Sequence, residues 1–165
     1  EAGAGWPERT GLQGPMVMPN DGYEASDGKL MLTIGTPLQF KRFCEVIGCC
    51  ELLVDPLFST NNARLANKDV LKSKINKALG KRKRGEWSLL LDVIDVPNAP
   101  IQSLREAVEH PQTVASDIIQ NSPDGSFRLF GMPLRFDGVR PGFRSQAPEL
   151  GEATQETFDF MTDPI

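Results

Sequence analysis

Tyr23-Glu24-Ala25-Ser26-Asp27-Gly28-Lys29-Leu30-Met31-Leu32-Thr33-Ile34 decides how the chain reads. Tyr23 and Ala25, then Leu30, Leu32 and Ile34, take alternate positions on either side of Ser26-Asp27-Gly28-Lys29. Alternation about an Asp-Gly turn predicts an antiparallel hairpin with one apolar face. Gly35 and Pro37 stop the second strand. Beyond them the period changes. Phe40, Phe43, Val46 and Ile47 fall at helical spacing, with Pro37 suited to the first turn and Gly48 to the C-terminal cap.

C-terminal to that helix, Asp55-Pro56-Leu57-Phe58-Ser59-Thr60-Asn61-Asn62 reads as a loop. Asn67 can cap a helix whose buried stripe is Leu71, Ile75, Ala78 and Leu79, ended by Gly80. A further helix starts near Gly85-Glu86, with Trp87, Leu90, Leu91 and Ile94 at i, i+3, i+4, i+7. Pro97 and Pro100 bracket a short extended piece, and Ser103 with Glu106 forms a capping box for a helix over Leu104 to Val108. His110-Pro111 interrupts it. Asp117-Ile118-Ile119, a Pro123-Asp124-Gly125 turn and Phe127 to Phe130 predict a second hairpin, extended by Leu134-Arg135-Phe136. The tail from Asp137 reads as extended. N-terminal to the first hairpin, Gly3, Gly5, Pro7, Gly11, Gly14, Pro15 and Pro19 mark residues 1–19 as a linker. A hairpin, several helices and a second strand pair make an α+β fold.

Composition closes off several functions. With 18 basic and 22 acidic residues the net charge is −4, which gives no field to gather nucleic acid or anionic lipid. No apolar run approaches the roughly 18 residues of a membrane span. Cys44, Cys49 and Cys50 are odd in number and lack a distant partner, which speaks for a reducing, cytoplasmic compartment over a disulfide framework. A zinc site needs about four ligands, and the sole histidine, His110, lies far from the cysteines in sequence. Cys44 reads as a core residue on its helix.

The familiar catalytic patterns are weak here. There is no Gly-x-Ser-x-Gly elbow, and His110 precedes a proline in a turn. Gly3-Ala4-Gly5 lacks the following Lys-Ser/Thr of a phosphate loop and reads as flexible linker. Lys81-Arg82-Lys83-Arg84 lies between two amphipathic helices, where a solvated loop is expected. Trp87 belongs to an apolar stripe and reads as core. No carboxylate pair stands out by spacing.

The order of the segments carries more than any one of them. Gly5-Trp6-Pro7-Glu8-Arg9-Thr10-Gly11 precedes Tyr23-Glu24-Ala25-Ser26-Asp27-Gly28, then Gly35 and Gln39-Phe40. Asp55-Pro56-Leu57-Phe58, Thr60-Asn61, Arg64 and Asn67 follow, then Glu86-Trp87, Val96-Pro97-Asn98-Ala99-Pro100-Ile101 and His110-Pro111-Gln112. Gly131-Met132-Pro133-Leu134 and Ala147-Pro148-Glu149-Leu150-Gly151-Glu152-Ala153-Thr154 close the set. In this order they resemble the C-terminal part of class III CoA-transferases, the group of formyl-CoA and carnitine-CoA transferases and α-methylacyl-CoA racemases.

The resemblance implies a small α+β domain over residues 20–112 and a segment over 113–165 that returns to a Rossmann-like large domain built mainly from N-terminal sequence. It implies an interlocked homodimer, acyl-CoA and a carboxylic acid as substrates, and no permanently bound cofactor. The nucleophilic aspartate of the family would lie in N-terminal sequence, so no residue here takes a catalytic role and this chain alone is expected to be inactive. Gly35 and Thr36, at the end of the hairpin, are the expected substrate-binding residues. The racemase branch places a glutamate just after this glycine, whereas Gly35-Thr36-Pro37-Leu38-Gln39-Phe40 holds no carboxylate. Transferase is therefore the leading expectation, with a racemase-like fragment or a non-enzymatic assembly module of the same fold as alternatives. Gly3-Ala4-Gly5-Trp6 stands where formyl-CoA transferases carry a glycine-rich loop, and departs from a run of four glycines.

Overall fold

A computed structural model describes residues 9–152 together with Thr154 and Phe158. Gly3-Ala4-Gly5-Trp6, the rest of the linker's first eight residues and Ala153 lie outside the described residues. The chain forms two compact units, Glu1–Ile101 and Gln102–Ile165. The family resemblance implies a boundary at 112–113 instead.

In the first unit the hairpin forms as strand β1, Asn20–Ala25, and strand β2, Gly28–Thr33. Pairing runs from Asn20↔Thr33 to Ala25↔Gly28, so Ser26 and Asp27 alone make the turn and Gly28 already belongs to β2. The glycine is required twice over. Its φ is +140°, and a Cβ would stand 3.1 Å from Arg84 Nε. Arg84 approaches because its backbone N–H donates to Asp27 Oδ1 at 2.7 Å. Strand β3, Asn98–Pro100, pairs antiparallel with the other edge of β2 and gives the order β1-β2-β3. Pro100 is tolerated there because β3 is an edge strand.

Helices pack on this sheet. Helix α1, Pro37–Ile47, ends at Gly48 with φ +72°, as the Pro37 and Gly48 signals predict. The expected loop from Asp55 is more ordered than the sequence suggests. Helix α2, Glu51–Val54, leads into a 3-10 turn, Pro56–Phe58, whose first N–H, that of Leu57, donates to Asp55 Oδ1 at 3.0 Å. Thr60 then caps helix α3, Asn61–Ala66. Helix α4 is Lys68–Leu79, and its predicted stripe of Leu71, Ile75, Ala78 and Leu79 is buried. Asn67 occupies the N-cap without capping. Its amide donates instead to Leu57 O at 3.3 Å and Ala63 O at 2.9 Å, closing α3 and tying it to the preceding turn.

Helix α5, Arg84–Asp92, buries Trp87 and Leu91, while Leu90 turns outward at 39% exposure and Ile94 packs beyond the helix end. The stripe is therefore narrower than the four-residue pattern. Trp87 Nε1–H donates to Leu79 O at 2.7 Å, which satisfies the one polar group the indole brings inside. The basic run is partly structural: Arg82 lies over the Trp87 ring and Arg84 pairs with Asp27. Helix α4 packs on β1, α5 on β2 and β3, and α1 on both α4 and α5. Tyr23, Leu30, Leu32, Phe43, Leu71, Ile75 and Leu79 meet in one core.

The second unit holds helix α6, Leu104–Glu109, with the Ser103–Glu106 capping box in place, and helix α7, Pro111–Ala115. His110 Nδ1 accepts from Gln112 N at 3.2 Å, so the lone histidine caps α7. Strands β4, Ile119–Asn121, and β5, Arg128–Phe130, form the second hairpin. Leu134-Arg135-Phe136 does not lengthen it; Phe136 bridges only to Val139. Among the described residues of this unit only Ser122 and Gly131 are buried. Phe127, Leu129, Phe130 and Phe136 are exposed, and Ile118 and Ile119 are half-buried. No described helix is long and apolar enough to cross a membrane.

Candidate functional site

Where β2 gives way to α1, the chain turns at Gly35 and Thr36, the two residues singled out from sequence. Thr36 is the N-cap of α1, its Oγ1 accepting from Gln39 N at 3.1 Å. Gln39 answers with its side chain. Oε1 accepts from Gly35 N at 3.1 Å and Thr36 N at 3.2 Å, and Nε2 donates to Asp95 O at 3.0 Å. One glutamine thus pins the corner to the loop after α5, where Asp95 stands at φ 56° with Oδ2 3.8 Å from Arg42.

This arrangement limits what the corner can do. Both backbone N–H groups are already engaged, so neither is a ready donor for a substrate oxygen. Gly35 is exposed, has no left-handed φ, and a Cβ there would meet only Gln39 Oε1 at 3.8 Å. Neither backbone conformation nor packing within this chain calls for glycine.

One residue further on, α1 opens onto a cleft. Pro37, Phe40 and Lys41 present one face of its first turns, and Leu53, Phe58, Ser59 and Arg64 complete the lining of a volume of about 310 Å³. Arg64 is 5% exposed. Its Nε donates to Met18 O at 2.6 Å, Nη1 to Phe58 O at 3.1 Å, and its Cζ lies 4.3 Å from the Phe40 ring centre. These contacts tie the entry into β1, the 3-10 turn and α1 together. Burial draws the guanidinium below its ordinary pKa, yet an arginine remains charged. None of the ion pairs among the described residues involves Arg64. The sequence names Arg64 only as a member of a motif. An arginine in a short polar helix carries no local sign that it will be buried, and its ring partner Phe40 lies on another helix.

Several other reactive groups are committed to the fold, though Cys50 is exposed. Burial pushes the Cys44 thiol up to about 12 and raises Cys49 as well, so both are poor nucleophiles. No group of three or more possible metal ligands occurs among the described residues. Asp21, 4% exposed, is held by Lys72 Nζ at 2.5 Å and by Gly22 N at 2.6 Å. Burial, and then the Asp21 carboxylate, drive the Tyr23 hydroxyl upward, away from any acid–base role near neutrality.

With this geometry in view, known proteins supply context. A family model described as CoA-transferase family III matches residues 1–154. An acetyl-CoA:oxalate CoA-transferase of Acetobacter aceti is 35% identical over 147 residues, which are 88% of this chain and 37% of that protein. A succinate–glutarate CoA-transferase of Agrobacterium fabrum is 30% identical over 156 residues, 88% of this chain and 37% of that protein. Among solved structures, a CAIB/BAIF family protein from Brucella suis aligns with TM-score 0.83 and 27% identity, over 97% of this chain and 42% of that one. The chain thus spans little more than a third of the length of these curated relatives.

Proposed function

Because this chain belongs to CoA-transferase family III, we propose that it supplies the C-terminal portion of an acyl-CoA:carboxylate CoA-transferase whose nucleophilic aspartate is carried by N-terminal sequence. The observation that carries this reading is the family match over residues 1–154, joined to 35% identity with a transferase that acts between acetyl-CoA and oxalate. On this reading residues 20–112 form the small domain and 113–165 the return segment. The β4–β5 hairpin supports such a return, since Leu129 and Phe130, on opposite faces of β5, are both exposed and suited to cover by further protein.

The chemistry needs no resident cofactor. The aspartate attacks the thioester carbonyl of the donor, and expulsion of CoA as thiolate leaves a mixed acyl–aspartyl anhydride. The thiolate attacks the aspartyl carbonyl, releases the donor acid and leaves an aspartyl-CoA thioester. The acceptor carboxylate then attacks that thioester, expelling the thiolate and forming a second anhydride. Attack of thiolate on the acceptor's acyl carbon completes the new acyl-CoA and frees the aspartate. Two easier steps replace one difficult exchange in each half-reaction. Gly35 and Thr36 would border the substrate, the bare glycine giving it room. The enzyme would be a cytoplasmic, interlocked homodimer. A racemase is less well supported, because no carboxylate follows Gly35 before Glu45, on the last turns of α1.

The full-length gene product should exchange CoA between acetyl-CoA or succinyl-CoA and oxalate or glutarate, followed by mass spectrometry of the CoA esters. Hydroxylamine added during turnover should leave a hydroxamate on an aspartate outside residues 1–165. A hydroxamate on a carboxylate of this chain would overturn the division of labour. Absence of exchange with every donor and acceptor would favour the assembly module.

A further inference from the structure

We propose that the cleft between α1 and α3 is a binding site for a short-chain carboxylate, whose charged end sits on Arg64 and Lys41 and whose carbon chain lies against Pro37 and Leu53. The inference goes beyond the transferase reading and does not depend on it, since it rests on the first unit alone.

Three observations carry it. The first is a buried cation without a buried anion. The other basic groups drawn into this unit have carboxylates: Lys72 has Asp21, and Arg84 has Asp27. Arg64, more buried than either, is met only by two carbonyl dipoles and a ring. Taking a charge out of water is costly unless it is paired, and dipoles offset only part of the cost. An anion in the cleft would complete the set.

The second is the state of the guanidinium's donors. Nε is used by Met18 O and Nη1 by Phe58 O, which fixes the plane of the group against Phe40. Nη2 has no partner among the described residues and remains for a ligand. A guanidinium held from behind on two nitrogens is pre-organised, so little further ordering is needed when a carboxylate arrives. Lys41, at the rim, pairs with Glu45 only at 3.9 Å and is free to swing toward a second oxygen.

The third is the shape and lining. About 310 Å³ lies at the small end of ligand sites, enough for a few carbon atoms. Beyond its cationic end the accessible walls are Pro37, Leu53 and Ser59, with the buried Phe40 and Phe58 behind them. Inorganic phosphate would set strongly hydrated oxygens against those walls, whereas an aliphatic acid matches both ends.

Butyrate is the probe. Titrated into this chain followed by amide chemical shifts, it should move residues 37–41, 53, 58, 59 and 64 with a dissociation constant below about 10 mM. Butyramide, equal in shape without the charge, should bind at least roughly tenfold more weakly, as should inorganic phosphate. Arg64→Gln should abolish the shifts. Because that change also withdraws donors from Met18 and Phe58, the surface variant Lys41→Glu is the companion test, with weakening of about tenfold and an unchanged fold. Equal binding of butyramide, equal binding of phosphate, or indifference to Lys41→Glu would each overturn the proposal. So would butyrate binding to this chain but not to the full-length gene product, which would mean that an acidic side chain of the remaining sequence occupies the cleft. No turnover is involved, so failure here leaves the transferase reading standing, and failure of CoA exchange leaves this site standing.

Discussion

The two units contain similar apolar side chains and use them differently. The first buries Tyr23, Phe43, Phe58, Leu71 and Leu79 completely. The second owns Phe127, Leu129, Phe130, Phe136 and Phe143, and all five are exposed. Composition does not separate the units; element length does. Helices of 11, 12 and 9 residues at α1, α4 and α5 present stripes long enough to close over a three-stranded sheet. Helices of 6 and 5 residues beside two three-residue strands enclose nothing. A two-stranded hairpin is marginal in water without a layer packed against it. The contrast teaches that the first unit closes an apolar core of its own, whereas the described residues of the second do not.

The sharpest way to break that contrast is to delete matched apolar side chains. Phe43→Ala should cost about 3–5 kcal/mol, through lost transfer energy and the cavity left among α1, α4 and α5. Leu129→Ala in this chain should cost less than about 0.5 kcal/mol, because its side chain is 42% exposed and leaves no enclosed void. Urea unfolding followed by tryptophan fluorescence measures both. Native-state hydrogen exchange should agree, with β2 amides protected far beyond those of β5. Comparable losses at the two positions would mean that the second unit has a core of its own.

Much of the first unit was legible because its signals are local. Pro37 and Gly48 bound α1 to the residue, and the Leu71–Leu79 stripe fixes α4; in the second unit, Ser103 with Glu106 likewise starts α6. What escaped depends on partners distant in sequence. The segment after Asp55 has too few apolar residues for a periodic signal, and its order comes from two caps and from the Asn67 amide reaching back to Leu57. The turn register slipped because Gly28 is needed inside β2, where Arg84 crowds it, and not within the turn itself. Leu90 fits a helical stripe by spacing, yet α5 buries only Trp87 and Leu91. At the candidate site, Gly35 and Thr36 were found through resemblance. Their use as an N-cap was readable in principle, since Thr36 and Gln39 make a capping box. The burial of Arg64 was not, because nothing near it in sequence reveals Met18 and Phe40 as its neighbours.

A smaller effect sharpens the reading of the corner. Thr36→Ala removes the cap from α1 and should cost about 1 kcal/mol, with Thr36→Ser restoring most of it. The same pair of variants separates the two roles of the residue. If Thr36 only caps, CoA exchange by the full-length gene product should follow stability and return with serine. A rate that stays low in Thr36→Ser, while the urea midpoint recovers, would place the threonine methyl against substrate.

The smallest effect compares one carboxylate in each unit. Asp27 accepts the Arg84 backbone N–H, the main cause holding its carboxyl below the usual 3.8, with the Arg84 charge adding to it. Asp124 is lowered chiefly by the Ser122 hydroxyl at 2.6 Å, and then by the N–H and hydroxyl of Ser126. A folded pKa below the unfolded one means that the unfolded chain takes up protons first as pH falls. The stabilisation is therefore present above about 3.8 and is lost as pH drops through the folded value. Both groups are exposed, so the effects should be slight, but they should appear in different places. Asp27 joins the β1–β2 turn to α5, and Asp27→Asn should flatten the fall of the urea midpoint below about pH 4. Asp124 serves the β4–β5 turn and accepts a long bond from Gln146 Nε2 at 3.4 Å, in a unit whose large apolar side chains are not buried among the described residues. Asp124→Asn should leave the midpoint where it is and merely quicken amide exchange around Ser126 and Phe127. A midpoint that responded to Asp124→Asn as it does to Asp27→Asn would show that the second hairpin unfolds together with the first unit, and the contrast between the units would fall.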